Sequence, residues 1–186
     1  PEAAYWLSGV YLLENKMDSA AAVLNNLQGN FLQQTDEYKK HPLPFIGQAH
    51  VILESGNAAE ARSKMEAVLE ATKYKNAGAL LAAAKANIES KNGDVHWAIE
   101  LLNKAIKKDK KNPAIYSTLG DAYLKLQNGG AAVSNYMTSL QVDDHFAEGP
   151  YKEGLVYKTQ KNEDIYLEKF NKAYEIDSTY TPAIDE

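Results

Sequence analysis

The residue types that could do chemistry in this chain are four histidines and two short acidic turns. His41, His50, His96 and His145 fall one to a segment, with no H-x-x-x-H or other paired spacing. A zinc site needs imidazoles brought to one face by such spacing, so each histidine reads as a packed or solvated side chain. Asn92-Gly93-Asp94 and Asp143-Asp144 lack the alternating oxygen ligands before the glycine and the closing glutamate of a calcium loop. They read as a turn and a helix terminus. The chain has no cysteine, which removes thiolate nucleophiles, disulfides and zinc–thiolate sites together. Neither a phosphate-cradling G-x-x-x-x-G-K-[ST] loop nor a G-x-S-x-G nucleophile elbow occurs. The expectation is a protein that is not an enzyme, with no catalytic residue, no metal and no cofactor.

The elements that carry these residues are helical throughout. Prolines at Pro1, Pro42, Pro44, Pro113, Pro150 and Pro182 each sit where a helix could begin, and alternating β-branched runs are absent. Pro113 to Ser178 holds one pattern written twice. Tyr116, Leu119, Gly120, Tyr123, Ala132, Tyr136 and Ser139 recur 34 positions on as Pro150, Glu153, Gly154, Tyr157, Tyr166, Phe170 and Ala173. The i, i+3, i+4, i+7 spacing of Tyr116 to Tyr123 is one face of a helix, and Ala132, Tyr136 and Ser139 mark the next. Asn-Gly and Gly-Gly pairs between them are expected to supply the positive backbone angles that reverse the chain. The same alternation divides the chain into units of about 2–41, 42–77, 78–112, 113–146 and 147–180 within a single domain. Their turns are Asn15-Lys16, Ser55-Gly56-Asn57, Asn92-Gly93-Asp94, Asn128-Gly129-Gly130 and Lys161-Asn162. Asn30 to Lys40 is a longer connection that either extends the preceding helix or adds a short one. A lone unit cannot bury its apolar face, so neighbours must stack to complete a core.

This combination resembles the tetratricopeptide repeat family, whose unit carries an aromatic or Leu, Leu-Gly and Tyr in helix A, then Ala, an aromatic and Ala in helix B. The match runs through Tyr116, Leu119-Gly120, Tyr123, Ala132 and Tyr136, then Gly154, Tyr157, Phe170 and Ala173, strongest over Lys91 to Ser178. The fold the resemblance implies is all-α, a right-handed α-α superhelix (solenoid) of about five helix-turn-helix repeats. Three departures stand out: Pro150 is expected to open a later-starting helix, Glu153 replaces a Leu, and Tyr166 is expected to hold its two helices further apart. Thr181-Pro182-Ala183-Ile184 looks like the opening of a further unit, and Ile165 and Phe170 are expected to lack cover. The chain is therefore expected to be a fragment of a longer repeat array, or to associate end to end through that repeat.

With 25 acidic and 20 basic residues and a net charge of -5, the chain has no footprint for nucleic acid. The lysine run Lys104 to Lys111 reads as a solvated helix end. No apolar run reaches the ~20 residues of a membrane span. Residue usage suggests a bacterial source and leaves cell envelope and cytoplasm both open. Of the twelve tyrosines, Tyr5, Tyr116, Tyr123, Tyr136, Tyr157 and Tyr166 fall on packing positions.

In relatives of this kind the fifth and ninth positions of helix A line a groove. Transferred here, they are Trp6 and Val10, Ile46 and His50, Ala82 and Ala86, Ser117 and Asp121, Tyr151 and Leu155. Ser117 and Asp121 do not supply the Lys and Asn with which some relatives clamp a C-terminal carboxylate. The resemblance implies a non-catalytic scaffold that binds a protein segment, as an extended peptide or an amphipathic helix, with Trp6 and Tyr151 as anchors. The competing readings are a small-ligand or glycan receptor built on the Asn30–Lys40 insertion, and a docking module of a larger enzyme.

Overall fold

The computed structural model describes residues 2–28, 35–180 and 182, with the side chains of residues 26–28 and 35 outside that set. The described residues form eleven helices and no strand: α1 (Glu2–Leu13), α2 (Met17–Gln28), α3 (Thr35–Lys40), α4 (Pro42–Glu54), α5 (Ala58–Ala71), α6 (Ala77–Glu89), α7 (Val95–Lys108), α8 (Pro113–Lys125), α9 (Gly129–Val142), α10 (Glu148–Thr159) and α11 (Glu163–Ile176). The fold is all-α, and α3 apart, the helices pair as antiparallel helix-turn-helix units.

Two compact units are present, Pro1–Lys108 and Asp109–Glu186. In the first, α1 packs on α2, α4 on α5 and α6 on α7, while α4 lies against both α1 and α6. The connection after α2 adds the separate helix α3, whose Tyr38 ring meets Phe45 of α4 edge-on at 4.6 Å. Asn30 to Gln34 lie outside the described residues, as do Thr181 and Ala183 to Ile184. In the second unit α8 packs on α9, α10 on α11, and α10 also on α9 and α8.

The repeat is visible as one steric device used twice. A Cβ added to Gly120 would overlap the Tyr136 ring, and one added to Gly154 would come within 2.6 Å of Phe170 Cε1. Glycine is required at both positions because an aromatic ring of helix B lies directly on the backbone of helix A. The Tyr166 ring lies tilted 5.7 Å from Phe170, and Phe170 stays in close contact with Gly154. Phe170 is buried, so its cover comes from its own unit; the large apolar side chains left exposed on α11 are Leu167 and Tyr174.

A second device went unread in the sequence. Asp109, Asp143 and Asp177 are spaced by 34 residues. Each accepts the backbone N–H two residues on, from Lys111 at 3.2 Å, His145 at 3.0 Å and Thr179 at 2.9 Å. Each Asx turn follows the last helix of its repeat.

The turn chemistry departs from expectation. Gly56 takes a positive φ of 95°, but at the turns α1/α2, α8/α9 and α10/α11 the left-handed residue is Asn15, Gln127 or Lys161, and between α5 and α6 it is Lys73 and Tyr74. Gly129 and Gly130 lie inside the first turn of α9, because Asn128 already caps that helix by accepting the Ala131 N–H at 3.1 Å. Gly93 is needed for a close approach, since a Cβ there would run into the Asn87 backbone. Pro150 does not open α10: the helix begins at Glu148, and Pro150 sits in the first turn, where its missing N–H costs no helical bond.

Candidate functional site

In the first unit, α1, α4 and α6 enclose an open cleft of about 170 Å³. Gly47 lets α1 approach α4, with Tyr5 Cδ2 3.2 Å and Leu24 3.4 Å from where a Cβ would stand. That approach seats Tyr5 beside the cleft and turns Trp6 outward, the two rings edge-to-face at 5.0 Å. Trp6, Gly9, Val10 and Leu13 form one wall, His50 and Ala86 stand opposite, and Lys85 and Glu89 supply charge. Burial, with a further push from the Glu89 carboxylate, raises the Tyr5 phenol to about 12. Burial likewise depresses the His50 imidazole below its ordinary value, against the pull of Glu89 and of Glu54, whose Oε1 is 3.5 Å from Nε2. His50 is therefore a neutral donor or acceptor at pH 7.

The fifth and ninth helix-A positions differ widely in exposure. At the fifth, Trp6 is 62% exposed while Ile46 is 0%, Ala82 4% and Ser117 0%, and Tyr151 is half-buried. At the ninth, Val10 is exposed, His50 and Ala86 are buried at the cleft floor, and Asp121 and Leu155 are half-buried. The cleft thus brings together Trp6, Val10, His50 and Ala86, while Ile46, Ala82 and Ser117 present no side-chain surface.

In the second unit Ser117 and Asp121 belong to a polar brace. Lys152 Nζ of α10 lies 2.6 Å from both Asp121 Oδ2 and Glu148 Oε1. Ser117 donates its hydroxyl to Glu148 at 2.7 Å, and the Tyr136 hydroxyl donates to Asp121 at 2.9 Å. Burial alone would lower the Lys152 ammonium, but Asp121 and Glu148 overcome it and hold the pKa above its ordinary value. The Tyr136 phenol is raised by burial and then by Asp121. Tyr151 is packed against Phe170 at 5.6 Å and Tyr180 at 5.5 Å. Glu153, in the place of a repeat Leu, is buried and meets Lys169 at 3.3 Å; burial raises its carboxyl against the opposing pull of that lysine. Glu148 and Lys152 were missed in the sequence, although an i, i+4 acid–base pair on a helix was the available signal.

Among the described residues the nearest thing to a ligand set is Asp143, Asp144 and His145, all exposed. His145 Nδ1 is 2.7 Å from Asp144, and Asp143 spends an oxygen on the His145 N–H in its turn. No helix among the described residues is long and apolar enough to cross a membrane.

A family profile described as "TPR repeat" matches residues 86–127. No curated protein sequence matches. Among solved structures, TTC0263, a thermophilic TPR protein of Thermus thermophilus, superposes with a TM-score of 0.70 at 15% identity, over 99% of this chain and 95% of that one. MamA from Desulfovibrio magneticus RS-1 gives 0.61 at 13% identity, over 96% of each chain. YrrB, described as a TPR protein with an unusual peptide-binding site, gives 0.58 at 16% identity, over 98% of this chain and 89% of that one. At such identities the structural likeness is one of fold. The profile match over residues 86–127, the 34-residue period and the glycine–aromatic contact repeated in α8/α9 and α10/α11 agree with that likeness, and the fold is the one seen in tetratricopeptide-repeat proteins.

Proposed function

We propose that the chain is a non-catalytic scaffold that holds a protein segment, as an extended peptide or an amphipathic helix, against the cleft between α1, α4 and α6. The observation that carries this reading is Trp6, 62% exposed at the rim of an apolar cleft, with Val10 beside it. A large amphipathic ring at the mouth of a desolvated pocket is the usual anchor of a protein interface. The cleft volume of about 170 Å³ falls below the roughly 300–1,000 Å³ of small-molecule sites. It suits one or two side chains of a longer segment better than a free ligand. Tyr151, engaged with Phe170 and Tyr180 in the second unit, is not among the residues lining this cleft.

The test is selection of binding peptides from a displayed random library on the intact chain, followed by titration of the selected peptides. Trp6→Ala is expected to weaken them about 30-fold, the equivalent of about 2 kcal/mol, with the helical spectrum unchanged. Peptides that share a motif yet bind Trp6→Ala as well as the parent would dispose of the reading.

A further inference from the structure

A second surface lies at the turn between α5 and α6, where Lys73 and Tyr74 take left-handed φ values of 53° and 52° in succession. Two such residues in a row project Lys73 and Lys75 outward, and both are exposed. An open hollow of about 530 Å³ forms there, lined by Lys39, Ala71, Thr72, Lys73, Lys75 and Asn76. Half of the lining residues are lysines and none is acidic. Asn76 spends its carbonyl oxygen on the Ala79 N–H at 2.9 Å, which leaves its amide hydrogens to donate. The Thr72 hydroxyl hydrogen is taken by the Leu69 carbonyl at 2.8 Å. A fourth ammonium, that of Lys104, is held 4.6 Å above the Tyr74 ring. Against these stand Asp36, 3.1 Å from Lys39, and the Glu70 and Glu66 carboxylates acting on Tyr74, of which Glu66 is paired with Arg62. Among the described residues neither Lys73 nor Lys75 makes an ion pair.

We infer that this hollow is a docking surface for an acidic protein segment, a short run of Asp or Glu side chains. Charge decides the class of partner. The charged lining of the hollow is wholly cationic within a chain of net charge -5, and two of its three lysines, Lys73 and Lys75, make no ion pair among the described residues, which favours an anion. Shape narrows it further. The hollow is shallow and small, so it suits a short segment, and four ammonium groups make no track for a nucleic-acid backbone. The inference is separate from the cleft between α1, α4 and α6 and stands or falls without it.

The test uses the intact chain and fluorescein-labelled hexaglutamate, with hexaglutamine as the uncharged probe, followed by anisotropy at 20 and 150 mM NaCl. Hexaglutamate is expected to bind, hexaglutamine not, and salt to weaken the complex. Lys73→Glu/Lys75→Glu should cost about tenfold or more, and Lys73→Ala/Lys75→Ala somewhat less. Lys161→Glu/Lys172→Glu, which changes net charge equally in the other unit, should cost less than about twofold. Equal losses from both reversal pairs would reduce the effect to net charge and overturn the inference. So would the absence of hexaglutamate binding at low salt, or tighter binding to phosphatidylserine vesicles than to hexaglutamate.

Discussion

Gly120 offers the sharpest test of the packing described above, because the same substitution should change sign within one molecule. A Cβ at Gly120 would stand 2.6 Å from Tyr136 Cδ1 and 2.9 Å from Cζ. Ordinary contact begins near 3.4 Å, so the ring must retreat by about 1 Å, and the Tyr136 hydroxyl is tethered to Asp121 at 2.9 Å. Overpacking of this kind costs about 1–3 kcal/mol, and the gain in helix propensity on replacing Gly by Ala returns about 1 kcal/mol. With the tethered ring placing the cost at the upper end of that range, Gly120→Ala should lose a net of about 2 kcal/mol. Gly154→Ala, facing an untethered Phe170 ring, should lose about 1 kcal/mol by the same balance. Gly130 has nothing within 4 Å of the added atom. Gly130→Ala should be stabilising by about 0.5 kcal/mol. Urea unfolding followed by helical circular dichroism reads all three, with Tm shifts of about 2–4 °C per kcal/mol expected for a chain of this size. In a Tyr136→Leu background the penalty at Gly120 should largely disappear. A Gly120→Ala protein as stable as the parent, or a penalty untouched by Tyr136→Leu, would refute the ring-on-backbone account.

Three further outcomes are expected. Because burial depresses His50 in the folded state, the unfolded chain takes up the proton first as pH falls. Stability should then rise with pH between the depressed folded value and about 6.5 and be flat above it, and His50→Gln should flatten that slope in urea titrations from about pH 5 to 7.5. Lys152→Met should cost about 1–2 kcal/mol of unfolding free energy, since it strands two partly buried carboxylates, whereas Lys172→Met on the exposed surface should cost almost nothing. Arg62 lies 3.7 Å over the Trp97 ring with Nε 2.7 Å from Glu66; Arg62→Lys should lose about 1 kcal/mol and shift the tryptophan emission.

The period of 34 was legible because the last two units solve one steric problem with the same residues, a helix-A glycine under a helix-B ring. The exposure of a repeat position was not legible, because it depends on what packs beside that position. Trp6 and Ile46 occupy one register, yet Trp6 is exposed and Ile46 has no exposure at all. Ile46 lies on α4, which is flanked by both α1 and α6, so a side chain there is enclosed whatever its place in the repeat. The turns misled for a related reason. A glycine next to Asn reads as the hinge, yet the Asn128 side chain completes the cap first and leaves Gly129 and Gly130 inside the helix. The Asx turns at Asp109, Asp143 and Asp177 carried a period as regular as the aromatic one. Asp143-Asp144 reads in isolation as a helix terminus, and the turn becomes visible only beside its equivalents 34 residues away.

The brace around Lys152 bears on where a segment can be held. A partner carboxylate approaching Ser117 and Asp121 would meet two carboxylates already in place, those of Asp121 and Glu148, and be repelled. A partner cation would have to displace Lys152 from two contacts of 2.6 Å, and displacing it would strand an ammonium in partly buried surroundings. The brace is thus satisfied internally and costly to open, so it favours cohesion of α8 with α10 over recognition. By contrast, Trp6 and Val10 are exposed to solvent at a cleft, and covering them releases water without breaking an existing bond. That asymmetry supports placing the binding of a protein segment on the first unit. It also implies that Trp6→Ala should leave the stability of the chain nearly unchanged while removing affinity, whereas Asp121→Asn should do the reverse.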